Sequence, residues 1–92
     1  MTKYIIPLEG DGSQTNPFKP KYIGSVPAIV YDVTTMTAIL DPYEAKKKIQ
    51  NLPIPDKQKK MFLEMIDKAV EKLEQIIAEK KKKGEQVDII KK

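Results

Sequence analysis

The chain has 92 residues, of which 40% are hydrophobic and 33% are charged, and its formal net charge is +4 at pH 7. This size fits one domain, and the composition is too apolar for a fully disordered chain and too charged for a membrane span. Cysteine, histidine, tryptophan and arginine do not occur. Their absence excludes disulfides, thiolate nucleophiles, histidine bases and structural zinc sites. We therefore predict a protein that is not an enzyme, needs no cofactor, and works by binding or assembly.

The amino-terminal apolar stretch is too short for a secretory signal, because Lys3 precedes only three apolar residues before Pro7. We expect an intracellular, cytoplasmic protein that contacts no membrane. Enrichment in lysine and glutamate without cysteine is typical of hyperthermophile proteins. An AT-rich genome that favours lysine codons explains the same composition equally well, so a thermophilic source is one of two interpretations.

The first third of the chain predicts one strand and two connecting segments. Residues 3–8 are rich in β-forming side chains and predict a short strand that Pro7 stops. Residues 9–17 are almost entirely turn formers, and we interpret the glycines at 10 and 12 as a tight surface turn rather than a phosphate or calcium loop. Residues 18–23 contain too much proline for a central strand and predict an extended crossing.

A hairpin and a capped helix follow. Residues 28–33 form a nearly continuous run of β-branched and aromatic side chains, which predicts a strand in the centre of the sheet. Residues 36–40 predict its hairpin partner. Asp41 as N-cap, with proline at the first helical position, predicts a helix over residues 42–51. Two prolines, at 53 and 55, end that helix.

Residues 56–83 predict one long amphipathic helix, about 42 Å long at 1.5 Å per residue. Its apolar positions alternate at intervals of four and three, and Gly84 fits the residue that ends it. The tail, residues 84–92, is either disordered or a short docked strand. The fold class is thus α+β, with a small mixed or antiparallel sheet of about three strands. We predict a single domain over residues 1–92, in which a β-rich part with the short helix occupies residues 1–55.

The apolar stripe of the long helix is the candidate protein interface. A helix this long exceeds the width of a small domain, and its spacing matches a coiled-coil seam for about two heptads. This pattern predicts a homo-oligomer, or docking on another structural protein. The alternative is that the stripe packs on the sheet of its own domain, as most amphipathic helices do. The predicted interface residues are Phe62, Ile66, Ala69, Leu73, Ile76 and Ile77.

A second hypothesis comes from the basic carboxyl end. Six lysines are candidates for contacts with phosphates: Lys80, Lys81, Lys82, Lys83, Lys91 and Lys92. They predict a non-specific nucleic-acid-binding protein, because the chain has no arginine, the side chain that most often makes specific contacts with guanine. The alternative is a solvated helix end whose lysines suit the helix dipole.

The amino-terminal part resembles a known group of proteins. Tyr4-Ile5-Ile6-Pro7, the glycine turn, and then Asn16-Pro17-Phe18-Lys19-Pro20-Lys21-Tyr22 are similar to the opening of short proteins encoded in structural-gene cassettes of tailed bacterial and archaeal viruses and related proviruses. The similarity extends through about residue 55, and the long helix lies outside it. The resemblance implies a virion-associated or assembly role and brings no catalytic residues with it.

Overall fold

An antiparallel sheet carries two helices on one of its faces in this computed structural model, which describes residues 2–92. The predicted α+β class is confirmed. The strands are β1 (Tyr4–Glu9), β2 (Lys19–Pro20), β3 (Val30–Asp32), β4 (Thr37–Leu40) and β5 (Ile90–Lys91), and the helices are α1 (Pro42–Gln50) and α2 (Asp56–Lys83). Met1 lies outside the described residues.

Strand β1 is the centre of the sheet. It pairs with β4 along one edge, whereas β5 and β2 share its other edge at opposite ends. Pro7 falls between the stretches paired with β5 and β2, and its carbonyl accepts the Lys21 N–H at 2.9 Å. The prediction that Pro7 stops this strand is therefore wrong. A proline without an N–H fits where the neighbouring strand is interrupted.

Strand β3 lies at the sheet edge, so the prediction of a central strand over residues 28–33 is wrong. Val30 and Tyr31 are exposed, and β3 pairs with β4. The continuous apolar run had predicted burial on both faces, but the run spans a loop and a short edge strand. The predicted hairpin itself is confirmed, and its loop is closed by the Asp32 carboxylate, which accepts the N–H groups of Thr34 and Thr35.

The glycine-rich segment after β1 forms a tight turn, as predicted. The Asp11 carboxylate accepts the Ser13 N–H at 2.9 Å, and the Asn16 carbonyl accepts the N–H of Asp11 at 3.0 Å. Gly10 has a φ of +97°, and a Cβ atom on it would lie 2.2 Å from the Pro17 carbonyl oxygen. Both the backbone conformation and the close approach of the chain require glycine at this position.

Both helices begin and end close to the predicted residues. Asp41 caps α1 by accepting the Glu44 N–H at 3.2 Å. Helix α2 is unbroken over its 28 residues and ends at Gly84, whose φ of 73° is left-handed. Lys59 of α2 donates to the Gln50 carbonyl at the end of α1 at 2.8 Å, which ties the two helices together.

The core lies between α2 and one face of the sheet, called here the inner face. Alternate residues of β1 and β4 point to it, and α1 adds Ala45 and Ile49. The carboxyl tail also contributes, because Ile89 is buried and β5 pairs with β1. The docked-strand alternative for residues 84–92 therefore holds. The buried cluster is Tyr4, Ile6, Val26, Leu40, Ala45, Ile49, Ile66, Ala69, Leu73, Ile77 and Ile89.

Candidate interaction surfaces

The apolar stripe of α2 packs inside the domain. Ile66 and Leu73 have no exposed surface, and Ala69 and Ile77 are also buried. These four residues contact the inner face of the sheet and α1 as parts of one cluster. They were predicted as a protein interface, and that prediction is wrong, because a side chain enclosed by its own chain has no surface left for a partner. The alternative, packing on the sheet of the same domain, is what the structure has.

Phe62 and Ile76, the other two predicted interface residues, lie at the margin of the core. Both are half-buried and pack against the cluster. The amino-terminal half of α2 is less covered, since Met61 is 52% exposed and Met65 is 40% exposed. Pro55 and Met61 line a shallow groove of about 630 Å³ there, together with polar and charged side chains. This end of α2 is the part of the helix that still offers apolar surface to a partner.

The opposite face of the sheet, called here the outer face, carries an apolar row that the sequence analysis did not identify. The register places Ile90 beside Ile5, Ile5 beside Ile39, and Ile39 beside Val30, so the four side chains lie in one line across four strands. Strand residues alternate between faces, and the neighbours of these four point to the inner face. Ile5 and Ile39 are half-buried, and Val30 and Ile90 are about half exposed.

No helix in the described part of the chain covers this row. The apolar residues that pack on the core include none of its four members. The row is bordered at one end by a shallow cleft of about 220 Å³ between the sheet and α1, to which Val30 and Ile39 contribute. A sheet with apolar side chains on both faces and helices on only one has an unpartnered layer.

Charged groups of both signs border the outer face. Lys3 and Lys92 exchange backbone hydrogen bonds of 2.7 and 2.8 Å, and each lies two residues from a member of the row. Both lysines therefore belong to the β5 and β1 side of this face. Asp41 and Asp32 lie two residues beyond Ile39 and Val30, on the β4 and β3 side. The cleft beside Val30 and Ile39 is also lined by Lys3 and Lys48 together with Asp41 and Glu44, so both signs lie at that end of the row.

The basic carboxyl end carries the net charge of the molecule. Eight lysines and four acidic residues meet there, and the remaining nine lysines and nine acidic residues cancel. The lysines are Lys3, Lys21, Lys80, Lys81, Lys82, Lys83, Lys91 and Lys92, and the acidic residues are Glu74, Glu79, Glu85 and Asp88. Contacts hold the group together: Lys91 bonds Glu74, Lys21 bonds Asp88, and Lys80 lies 3.8 Å from Glu85.

The six predicted phosphate-contacting lysines do not form one uniform patch. Successive helix residues differ in direction by about 100°, so residues 80–83 point around the helix end. Lys80 lies over the Tyr22 ring, and Lys91 is held by Glu74 at 2.6 Å. Among residues 2–92, no ion pair involves Lys81, Lys82, Lys83 or Lys92, but Lys81 lies close enough to Glu74 to help lower its pKa. Lys82, Lys83 and Lys92 are thus the members most available to an anion.

Two tyrosine–carboxylate–lysine groups fasten the tail to the domain. In the first, the Tyr4 hydroxyl donates to Glu74 at 2.6 Å, and Lys91 donates to the same carboxylate oxygen. Burial, and then the bond to Glu74, raise the pKa of Tyr4 to about 12. The bonds from Lys91 and Tyr4 lower the pKa of Glu74. The raised pKa keeps the Tyr4 hydroxyl neutral at pH 7, and the lowered pKa keeps the Glu74 carboxylate ionised.

The second group joins the loop after β2 to the tail. The Tyr22 hydroxyl donates to both oxygens of Asp88 at 2.7 and 2.9 Å, and Lys21 bonds one of them at 3.2 Å. Burial acts to raise the pKa of Asp88, but the bonds from Tyr22 and Lys21 outweigh it, so the pKa is lowered. The bond to Asp88 raises the pKa of Lys21. These contacts explain how a lysine-rich tail remains docked.

The described residues hold no group of three or more acidic side chains arranged for a metal ion, and no helix within residues 2–92 is long and apolar enough to cross a membrane. In each of the two tyrosine–carboxylate groups, a lysine already pairs with the carboxylate. These groups therefore stabilise the docked tail. The surfaces on which a function can be based are the outer face, the exposed amino-terminal end of α2 and the basic carboxyl end. No family model matches this chain, and neither the curated proteins nor the solved structures contain a match to it.

Proposed function

We propose that this chain is a small, non-enzymatic assembly protein, associated with a virion, that acts through protein–protein contacts. The outer face of the sheet carries the proposal. Four aliphatic side chains form one row across four strands there, and no helix in residues 2–92 covers them. Contiguous apolar patches framed by polar residues are typical of protein interaction sites. The resemblance of the amino-terminal segment supports the virion-associated setting.

The experiment is a concentration series by size-exclusion chromatography with light scattering, at concentrations up to several hundred micromolar. An assembly protein is expected to shift from monomer to oligomer as concentration rises, or to co-purify with a larger particle. A strict monomer throughout the series, with no co-purifying particle, contradicts the proposal. The apolar stripe of α2 offers no surface for these contacts, since its central residues are buried.

A second candidate function is non-specific binding of a nucleic acid, and the concentration of charge at the carboxyl end favours it. An excess of four positive charges lies in one region of the surface, while the rest of the molecule is balanced. Lysines placed in this way attract a phosphate backbone without reading its sequence. The absence of arginine and of exposed aromatic side chains among these lysines fits backbone contact alone.

Two matched triple variants test this second candidate. The first variant removes three lysines of the basic end by changing Lys82, Lys83 and Lys92 to Gln. The second removes three lysines from the rest of the molecule by changing Lys47, Lys57 and Lys60 to Gln. Both variants have the same net charge, so a difference in their affinities for DNA depends on the position of the lysines and not on the total charge. Affinity for duplex DNA at low salt should fall at least about tenfold in the first variant only, with a shallower salt dependence. Equal losses, or no measurable binding by the unmodified protein, contradict it.

A further inference from the structure

We infer that the outer face binds a second copy of this chain, with the two sheets packed face to face around a twofold axis that runs along the strands between β1 and β4. This inference rests on the proposed assembly function and names its partner and geometry. Such an axis lays the apolar row on itself in reverse order. Ile90 of one copy then meets Val30 of the other, and Ile5 meets Ile39.

The row is compatible with packing on a reversed copy of itself. Two half-buried isoleucines lie at its centre and two more exposed aliphatic side chains at its ends. Turning the row end for end pairs centre with centre and end with end. Sheets that pack face to face keep their strands within about 30° of each other and lie about 10 Å apart. A strand-parallel axis agrees with that geometry.

The charges on the face select a second copy in this orientation. Lys3 and Lys92 lie on the β5 and β1 side, and Asp41 lies on the β4 side at the same end of the strands. The twofold axis places Lys3 of one copy over Asp41 of the other. At the opposite end, Asp32 of one copy faces an edge on which Lys21 and Asp88 of the other copy already form an ion pair, so this end adds no net attraction. The contacts between Lys3 and Asp41 favour this pairing over a translated one, which would place each lysine over the same lysine of the other copy.

The contact is small. The row spans three strand spacings, about 14 Å, so the total buried area falls at the lower end of specific interfaces, below about 1,200 Å². We therefore expect a weak, reversible dimer, and the measurements need a concentration series that extends to several hundred micromolar.

Two single variants distinguish the outer face from the exposed end of α2. Val30 is 49% exposed on the sheet, and Met61 is 52% exposed on the helix, so both tolerate a charge to a similar degree. Sedimentation equilibrium should show that Val30→Asp weakens the dimer at least about tenfold, because the new carboxylate faces aliphatic side chains. Met61→Asp should leave the dimer unchanged.

The effects of the two variants also show whether the outer-face dimer can be wrong while the proposed assembly function holds. If Met61→Asp dissociates the oligomer and Val30→Asp does not, the protein assembles through its helix and the outer-face dimer is wrong. If the unmodified protein stays monomeric across the series, both the dimer and self-assembly are wrong. Circular dichroism of each variant, recorded as a monomer at low concentration, confirms that the fold is kept.

Cross-linking tests the orientation. The chain has no cysteine, so Val30→Cys and Ile90→Cys each introduce a single thiol. A mixture of the two variants should give a hetero-dimer with a short bis-maleimide, because these positions face each other about 10 Å apart. Each variant alone should cross-link poorly, since its two thiols lie three strand spacings apart. Efficient cross-linking of Val30→Cys with itself would instead place two β3 edges side by side and overturn the proposed axis.

Discussion

At the scale of single residues, two tyrosines hold the carboxyl tail on the domain through hydrogen bonds from their hydroxyl groups. Tyr4 and Tyr22 each donate a hydroxyl hydrogen bond to a carboxylate that also binds a lysine. The lowered pKa values of Glu74 and Asp88 mean that their contribution to stability is complete above the unfolded pKa values and is lost as pH falls through the folded ones. Acid should therefore release the tail from the domain below about pH 4.

The Tyr4→Phe variant tests the first of these groups. Removing the hydroxyl should lower the free energy of unfolding at pH 7 by about 1 kcal/mol, since the bond goes to a partly exposed carboxylate. The raised pKa of Tyr4, about 12 against 10.0, means that the neutral hydroxyl stabilises the fold and that this contribution is lost as pH rises from 10 towards 12. Urea titrations should thus show the difference from the unmodified protein shrinking over this range. Tyr43→Phe, at an exposed side chain, is the control.

Gly10 supports a second prediction at this scale. In Gly10→Ala, the new Cβ would lie 2.2 Å from a backbone oxygen and the residue would keep a positive φ, so the loop must shift. Gly84→Ala meets only the backbone penalty of about 1–2 kcal/mol, because nothing lies within 4 Å of its Cβ position. Urea denaturation should therefore show a larger loss for Gly10→Ala. Equal losses would mean that the turn relaxes freely.

At the scale of elements, the sheet depends on a strand from each end of the chain. β1 supplies the centre, and β5 arrives from the tail to pair with its first residues. The adjacent residues Ile89 and Ile90 differ in role, because Ile89 is buried in the core and Ile90 belongs to the outer row. The tail is thus part of both surfaces of the sheet.

Alanine substitutions at these two neighbours test the docking of the tail. Ile89→Ala should lower the free energy of unfolding by about 2–4 kcal/mol, as expected for a buried aliphatic side chain. Ile90→Ala, at a half-exposed position, should change it by less than about 0.5 kcal/mol. The measurement is urea denaturation at low concentration, where the protein is monomeric. Equal, small effects would show that the tail detaches readily in solution.

At the scale of the whole molecule, the long axis measures 43 Å, which matches the length of α2. The helix covers the inner face along this axis, and the outer face keeps its apolar row without a layer of its own chain. The net charge is also unevenly placed, since the carboxyl end holds the whole excess of +4. The uncovered apolar row is the basis of the proposed assembly function, which the variants at Val30 and Met61 test. The uneven charge is the basis of the proposed nucleic-acid binding, which the two triple lysine variants test.

The sequence by itself determined those features that depend on neighbours along the chain. The cap at Asp41, the glycine that ends α2 and the amphipathic period of residues 56–83 act within a few turns of helix, so the pattern was sufficient to locate both helices. The hairpin and the glycine turn are local for the same reason. The apolar run from Tyr4 to Leu8 also carried a usable signal, since strands that are apolar on both faces read as continuous runs.

Only the tertiary structure decided which strand is central, where the tail docks and which apolar face remains uncovered. These depend on pairings between residues more than 30 positions apart, such as Ile5 with Ile39 and Ile90, and composition or period does not encode such pairings. Helix amphipathicity marks a stripe that will be buried but not whether its own sheet or another molecule buries it. In this chain the sheet buries it, and the surface left for a partner is on the other side.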